Sequence, residues 1–204
     1  MEYPTTRVLG ASPRARAEDI HAAFADPSVK AVIASIGGDD QITVLPFLDR
    51  ELLRANPESF FGTSDNTNLP SYLHGSRIVG YHGARVMCEL GRPGAMAPLT
   101  AGSLRAVLFT SGPYELRPAD RFREVDLPWD DPENLTDEPP TEEGGGWTWH
   151  RPERVVEGRS WGGSIEILSW LLMADREIPD RAPAMVVPAA QRHGGEAALR
   201  AGAA

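Results

Sequence analysis

The sequence predicts an α/β protein with a parallel sheet over its first 90 residues, and two patterns carry this prediction. Residues 30–36 form a continuous apolar run of strand length, which Gly37-Gly38 then stops. Helical and strand-like segments alternate on either side of that run. Because a strand without apolar–polar alternation is buried on both faces, the run favours a parallel sheet covered by helices. We therefore predict a βαβ-type layer architecture.

The first predicted helix begins at Ser12-Pro13 and runs to Phe24. A serine hydroxyl accepts a hydrogen bond from the first turn of a helix, and proline suits the first helical position. Asp26-Pro27 ends this helix, because the residue before a proline disfavours helical backbone. The elements predicted next are a mostly helical stretch over 41–53, a strand over 58–62, a weakly helical segment over 64–74 and a strand over 77–81.

The second half of the chain is less regular. We expect one helix around residues 103–110, a loop over the acidic, proline-rich residues 124–146, and a strand over 154–158. After Gly162-Gly163, residues 164–173 are strongly apolar and predict a helix. These patterns suggest an N-terminal α/β domain (1–95), a connecting segment with the acidic loop (96–150) and a C-terminal domain (151–204).

The net charge of −9 comes from one segment. Residues 124–143 hold nine acids and no Lys or Arg, and removing them from the 29 acids leaves 20 acids against 20 bases. A solvated acidic loop argues against duplex nucleic acid as a partner, since such binding depends on neutralising phosphates. Neither an apolar run of membrane-spanning length nor a signal peptide is present, so we expect a cytoplasmic protein. The single cysteine, Cys88, excludes an internal disulfide and a cysteine-built metal site.

Two predicted strand ends carry residues suited to chemistry. Gly37-Gly38 follows one strand, and Ser64 follows another after Gly62. Each feature alone has an ordinary explanation, since a serine in this place is usually an N-cap and paired glycines are usually a tight turn. Together they fit a nucleophilic serine on a tight turn, with backbone N–H groups directed at a developing oxyanion. A plain nucleotide-binding module is disfavoured, because no glycine pattern of a dinucleotide site or P-loop occurs.

The order of these motifs resembles a known family. Five segments follow one another as they do in the LD-carboxypeptidases, and more narrowly in the branch of the microcin C self-immunity peptidases. A later segment with Trp161-Gly162-Gly163 resembles the opening of that family's second domain. The five segments are Gly38-Asp39-Asp40, Leu45-Pro46-Phe47-Leu48-Asp49, Ala55-Asn56-Pro57, Gly62-Thr63-Ser64-Asp65-Asn66-Thr67-Asn68 and Tyr81-His82-Gly83.

The resemblance implies a cytoplasmic serine peptidase with a Ser-Glu-His triad and with neither a metal nor an organic cofactor. Its substrates would be murein peptides with an L,D bond near a free carboxyl end, or, in the microcin branch, amides that join an aminoacyl group to a nucleotide-like moiety. Carried over by position, Ser64 is the nucleophile. The backbone N–H groups of Gly38 and Asp65 are the oxyanion donors.

The sequence departs from the family pattern in two small and two large ways. Thr63 stands where an aromatic is common, and Pro70 falls inside the helix that should follow the nucleophile. The family also has a further strand and helix before the segment that matches residues 1–20. In the family the triad glutamate lies on an apolar strand beyond the Gly-Gly helix, and the histidine follows in a Gly-His turn. We expect neither here, and therefore a truncated second domain with an aberrant tail over 182–204, as from a frameshifted or interrupted gene.

Local residues do not replace the missing triad members in this interpretation. Glu157 and Glu166 are expected to be solvated or salt-bridged, His82 to be a packing residue, and His193 to lie in a tail with little to hold it. Two hypotheses stay open. One is a serine hydrolase that acts on L,D or aminoacyl amide bonds. The other is a catalytically incompetent family member that binds a peptide or nucleotide at most.

Two further expectations concern aromatic residues and assembly. Trp147, Trp149 and Trp161 either pack between the two domains or stack on a nucleotide base. The loss of elements at both ends would expose apolar faces, so we expect a homodimer if the chain folds.

Overall fold

The computed structural model describes residues 12–91, 94–122, 131–132, 136, 140–147, 155, 157–179 and the backbone of 185–189. Within this part, the chain has the predicted α/β fold, with a parallel sheet at its centre. The sheet contains β1 (Ala31–Ile33), β2 (Ser59–Gly62) and β3 (Gly80–His82) in the order β1-β2-β3. All three strands run in the same direction, so their carboxyl ends meet at one edge.

The strands of the sheet are shorter than predicted. The first spans three residues rather than seven, because the chain beyond it is held by a side chain: Asn66 Nδ2 donates to the carbonyl of Ile36 at 2.9 Å. The third begins at Gly80 rather than at Arg77, whose φ of 64° is incompatible with a strand. Residues of β1 are half-buried, so the expectation of burial on both faces is wrong for this strand.

The first helix, α1 (Pro13–Ala25), follows the prediction. Ser12 Oγ accepts a hydrogen bond from the N–H of Ala15 at 3.3 Å, and Asp26 is the C-cap. The side chains of Ala17 and Phe24 on this helix are buried.

Residues 41–53 do not form one continuous helical stretch, which corrects the prediction. Two 3₁₀ turns, Gln41–Thr43 and Leu45–Phe47, precede the short helix α2 (Arg50–Ala55). The carboxylate of Asp49 accepts hydrogen bonds from the N–H groups of the first turn of α2, at 3.0 Å each. This N-cap starts a new helix and thereby separates α2 from the turns before it.

The segment after β2 forms a 3₁₀ turn over Ser64–Thr67 that continues into α3 (Asn68–Gly75). Pro70 lies in the first turn of α3, where its missing N–H costs no helical hydrogen bond. The chain then returns through β3 to a π-helical turn over Val86–Leu90.

The following elements are α4 (Pro98–Phe109), which begins earlier than predicted, and an antiparallel pair made by β4 (Arg121–Phe122) and β5 (Glu142–Glu143). Most of the acidic loop between β4 and β5 lies outside the described residues. Of the strand predicted over 154–158, residues 155, 157 and 158 are described and are not extended strand. The strand is instead β6 (Ser160–Ser164), which contains both glycines.

The predicted apolar helix is α5 (Ile165–Met173), which begins directly after β6. A parallel strand, β7 (Met185–Ala189), pairs with β6 in the register Gly162 to Val187. The expectation for this part of the chain concerned an apolar strand with a glutamate, and the sequence of β7, Met-Val-Val-Pro-Ala, contains no carboxylate.

One apolar cluster joins α5 to the helices of the sheet. Ile167, Leu168 and Leu171 of α5 share this cluster with Leu69 and other side chains of α1, α2, α3 and β2. Burying a leucine-sized side chain stabilises a fold by about 1.5–3 kcal/mol, so this contact ties the C-terminal elements firmly to the N-terminal ones. The domain boundaries at residues 95 and 150 stay a prediction. None of the helices in the described ranges is long and apolar enough to cross a membrane.

The amide of Ser164 connects β6 to the 3₁₀ turn by donating to Thr67 Oγ1 at 3.0 Å. Gly163 makes this approach possible, because its φ of 153° and its contact with the Thr67 side chain leave no room for a Cβ.

We predict that Gly163→Ala lowers the free energy of unfolding by about 2–4 kcal/mol, because the new methyl overlaps Thr67 at a backbone conformation that alanine disfavours. Urea denaturation measures the change. Gly145→Ala is the matched control, since a Cβ there meets nothing within 4 Å. Equal stabilities of the two variants would contradict the prediction.

Candidate active site

The backbone of Ser64 has an uncommon conformation. Its φ is 56°, in the left-handed region, and it follows Thr63 in extended conformation with φ −135° and ψ 180°. A serine at positive φ costs about 1 kcal/mol or more, and such strained residues are enriched at functional sites. This conformation turns the chain abruptly from β2 into the 3₁₀ turn, as in the strand-to-helix turns that present a nucleophile.

The ordinary explanation of Ser64 as an N-cap is not what the structure shows. Thr63, rather than Ser64, occupies the N-cap position of the 3₁₀ turn, and no side chain caps this turn. Ser64 is half-buried, and its hydroxyl makes no hydrogen bond to any of the described residues.

The turn over Gly37-Gly38 lies directly against Ser64. A Cβ placed on Gly37 would lie 2.7 Å from Ser64 Cβ and 2.9 Å from Ser64 Oγ, so only glycine allows this approach. A Cβ on Gly38 would lie 3.4 Å from Asp65 Oδ2. The chain segments that follow β1 and β2 are therefore in contact. Their assignment as nucleophile and oxyanion donors stays a prediction at this point.

The Asp65 carboxylate is buried and connects the two strand ends. Asp65 Oδ2 accepts hydrogen bonds from the N–H groups of Asp40 at 3.1 Å and Gln41 at 2.8 Å. Asn68 Nδ2 donates to Asp65 Oδ1 at 2.9 Å. Burial raises the pKa of Asp65 above its ordinary value, while the backbone N–H of Gln41 acts in the opposite direction.

The side chain of Asn66 makes a second connection. Its Nδ2 donates to the carbonyls of Ile36 and Thr63, and its Oδ1 accepts from Gln41 Nε2 at 3.0 Å. Gln41 Oε1 in turn accepts from the N–H of Leu69 at 3.1 Å. Sequence reasoning missed the roles of these side chains. The signal was the run Asp65-Asn66-Thr67-Asn68, because consecutive polar residues after a buried strand must find internal partners.

Of the residues considered as a base, none that the structure describes is hydrogen-bonded to Ser64. His82 lies beside Gly62 in the register of the sheet, yet no hydrogen bond joins it to Ser64. Burial and the guanidinium of Arg85 lower the pKa of His82 to about 4, so its imidazole is neutral near pH 7. Glu157 and Glu166 are exposed, and Glu166 accepts a hydrogen bond from Ser164 Oγ at 2.8 Å. His193 lies outside the described residues.

Of the three tryptophans, Trp161 packs against the apolar cluster that contains α5, in agreement with a packing role. Trp147 is half-buried, and Trp149 lies outside the described residues. A search of the described residues finds no group of three or more His, Cys, Asp or Glu side chains that could hold a metal ion.

Comparison with known proteins identifies the family that this chain resembles. Residues 2–83 match the family described as LD-carboxypeptidase N-terminal domain. The match includes Ser64, Gly38 and Asp65 and ends before Glu157 and Glu166.

Curated relatives extend the comparison. The chain is 24% identical over 169 residues to the microcin C7 self-immunity protein MccF of Escherichia coli, which covers 76% of this chain and 45% of that protein. It is 33% identical over 91 residues to a probable murein peptide carboxypeptidase of Bacillus subtilis, covering 44% of this chain and 28% of that protein. The chain thus spans less than half the length of these two relatives. The resemblance to the LD-carboxypeptidases and to their microcin branch is confirmed.

Solved structures show the same fold. An MccF-like protein from Bacillus anthracis superposes with a TM-score of 0.71 at 24% identity, covering 89% of this chain and 53% of that one. MccF in complex with glutamyl sulfamoyl guanosine superposes with a TM-score of 0.73 at 20% identity, covering 88% and 54%. The described α/β architecture is therefore that of MccF-like proteins.

We predict that His82 makes stability depend on pH between 6.5 and about 4. Because its pKa is lowered in the folded chain, the unfolded chain takes up the proton first as the pH falls. The contribution of His82 to the free energy of unfolding is complete above pH 6.5 and is lost toward pH 4. It amounts to ~3 kcal/mol. Urea denaturation of wild type and His82→Asn at pH 7 and 4.5 measures it. Parallel losses in both proteins would contradict the prediction, whereas a smaller loss in His82→Asn agrees with it.

Proposed function

We propose that this chain is a serine carboxypeptidase-type hydrolase that acts on an amide bond, with Ser64 as the nucleophile. One observation carries the proposal: the left-handed backbone of Ser64 presents its hydroxyl at the end of β2, where Gly37 approaches to within van der Waals contact. A serine used only for capping or packing has no need of a strained backbone. The family match over residues 2–83 supports the same assignment.

The reaction follows from the groups at this edge of the sheet. Ser64 Oγ attacks the carbonyl carbon, and the carbonyl oxygen becomes an oxyanion. In our proposal the N–H groups of Gly38 and Asp65 stabilise this oxyanion, as fixed backbone donors do in acyl transfer. The C–N bond then breaks, the amine leaves with a proton, and water hydrolyses the acyl-enzyme. A base must take the proton of Ser64. None of the described residues is hydrogen-bonded to this hydroxyl.

For the substrate, we propose an aminoacyl group joined to a nucleotide-like moiety, because the similarity to MccF extends over 76% of this chain. MccF has been solved with aspartyl sulfamoyl adenosine. A murein peptide is the second candidate, supported by the shorter match to a murein peptide carboxypeptidase. Mass spectrometry of each compound after incubation with the protein separates the two candidates by the products released.

A second function is favoured by the Ser64 hydroxyl, which has no hydrogen-bond partner among the described residues. Without an activating base, the same edge of the sheet would bind a peptide or nucleotide and leave it intact. Binding of aspartyl sulfamoyl adenosine in a calorimetric titration, together with its complete recovery after long incubation, would support this alternative.

We predict that a fluorophosphonate probe labels Ser64. The hydroxyl attacks phosphorus, an O–P bond forms, and fluoride leaves. Ser64→Ala should abolish labelling, whereas Ser103→Ala on α4 should leave it unchanged. Gly37→Ala should slow labelling at least tenfold, because its methyl would lie 2.9 Å from Ser64 Oγ. Intact-protein mass spectrometry gives the rates. A folded wild-type protein that stays unlabelled would exclude the hydrolase and leave the binder.

For assembly and location, we propose a homodimer in the cytoplasm. Leu172 and Met173 of α5 are 58% and 78% exposed, and a second copy would cover them. Size-exclusion chromatography with light scattering should give a dimer that Met173→Glu converts to a monomer. A wild-type monomer at tens of micromolar would contradict the proposal.

A further inference from the structure

The loop between β1 and the first 3₁₀ turn is fastened at both of its ends by the two residues that follow Ser64. At its start, Asn66 Nδ2 donates to the carbonyl of Ile36. At its end, Asp65 Oδ2 accepts from the N–H groups of Asp40 and Gln41. Between these points lie Gly37 and Gly38, and Gly38 is exposed to solvent. Their position therefore depends on the side chains that hold the loop.

We propose that the Asp65 carboxylate is a positioning residue that fixes the Gly37-Gly38 turn over the Ser64 hydroxyl. This role is distinct from the one given above to the backbone N–H of Asp65, and its catalytic meaning rests on the proposed hydrolase function. Two glycines in an exposed loop have many accessible backbone conformations. Two hydrogen bonds from the loop to one buried oxygen remove most of that freedom. The Gly38 N–H then keeps one position relative to Ser64.

The surroundings of Asp65 explain why a carboxylate is needed. All three of its neighbours present N–H groups, namely the backbone of Asp40, the backbone of Gln41 and the side chain of Asn68. An ionised carboxylate accepts on both oxygens and has no donor of its own. An asparagine in this place would direct an NH₂ group at one of these donors. Asp65→Asn is therefore nearly isosteric but breaks at least one of the three hydrogen bonds, and its neutral oxygen is a weaker acceptor for the remaining ones than a carboxylate.

A charged pair on the outside of the loop completes the arrangement. Arg16 Nη1 of α1 donates to both oxygens of the Asp40 carboxylate, at 2.9 and 2.8 Å. This pair is exposed, and exposed pairs contribute little to stability. The buried hydrogen bonds to Asp65 are the stronger restraint, because hydrogen bonds to a charged group in a site removed from water are the stronger kind.

Amide hydrogen exchange followed by NMR tests the positioning without relying on catalysis. In the wild-type protein, the N–H groups of Asp40 and Gln41 should exchange at least tenfold more slowly than that of the neighbouring Asp39, which has no such partner. In Asp65→Asn, the exchange of Asp40 and Gln41 should accelerate at least tenfold. Asp19→Asn on α1 makes the same charge change and should leave these rates unchanged.

The labelling rate connects this restraint to chemistry. Fluorophosphonate labelling of Ser64 should slow at least tenfold in Asp65→Asn. Leu53→Val on α2, which destabilises the core without altering the Ser64 turn or the loop after β1, should keep the wild-type labelling rate under folding conditions. This control separates loss of positioning from loss of stability.

The two measurements distinguish a failure of the hydrolase proposal from a failure of the positioning proposal. If wild type is not labelled, the hydrolase proposal falls, and hydrogen exchange still decides whether Asp65 holds the loop. If Asp40 and Gln41 exchange as fast as Asp39 in the wild-type protein, the positioning proposal is overturned. Because this comparison needs no variant, it also decides the question if Asp65→Asn does not fold. Unchanged labelling by a folded Asp65→Asn would likewise overturn the proposal.

Discussion

The close packing around the 3₁₀ turn Ser64–Thr67 is the constraint on which the rest of this structure depends. Three separate segments each approach this turn with a glycine: Gly37 contacts Ser64, Gly62 contacts Asn66, and Gly163 contacts Thr67. A Cβ on any of them would lie within 2.9 Å of a side-chain atom, which real contacts do not tolerate. The sheet, the loop after β1 and the β6–α5 unit therefore meet at one turn and must adjust to its shape.

The turn is also unusual in being polar and buried at the same time. The side chains from Asp65 to Asn68 are all buried, and their hydrogen bonds run to the loop after β1, to the 3₁₀ turn that begins at Gln41 and to β6. A buried polar network stiffens a structure when its members are satisfied, and it is costly when they are not. Its connections to three elements hold Ser64 in a conformation that the residue would not adopt alone. The strain at Ser64 is thus compensated by the hydrogen bonds of the side chains that follow it, from Asp65 to Asn68.

Local patterns predicted most of the architecture and the position of the candidate site. The capped helix α1, the parallel sheet and the apolar helix α5 follow from caps and apolar periodicity, which are local signals. The strand before α5 was instead predicted over 154–158, whereas it lies at Ser160–Ser164 and contains Gly162-Gly163. The place of Gly163 inside β6 depends on contact with Thr67, nearly a hundred residues away, and no local pattern encodes such a contact. The short helix α2 was missed because the apolar spacing is helical throughout residues 41–53. The N-cap Asp49 nevertheless divides this stretch.

Presentation of a nucleophile and its activation are separate physical tasks, and in our proposal this chain divides them. The left-handed Ser64 and the adjacent glycine turn both lie within residues 2–83, and β6 supports the same turn through Thr67. Activation requires a base with a pKa near the working pH. His82, the histidine nearest in the sheet, has its pKa lowered to about 4 by burial and by the guanidinium of Arg85. A neutral imidazole of that pKa is a weak proton acceptor, so the burial of His82 works against a base drawn from the sheet itself.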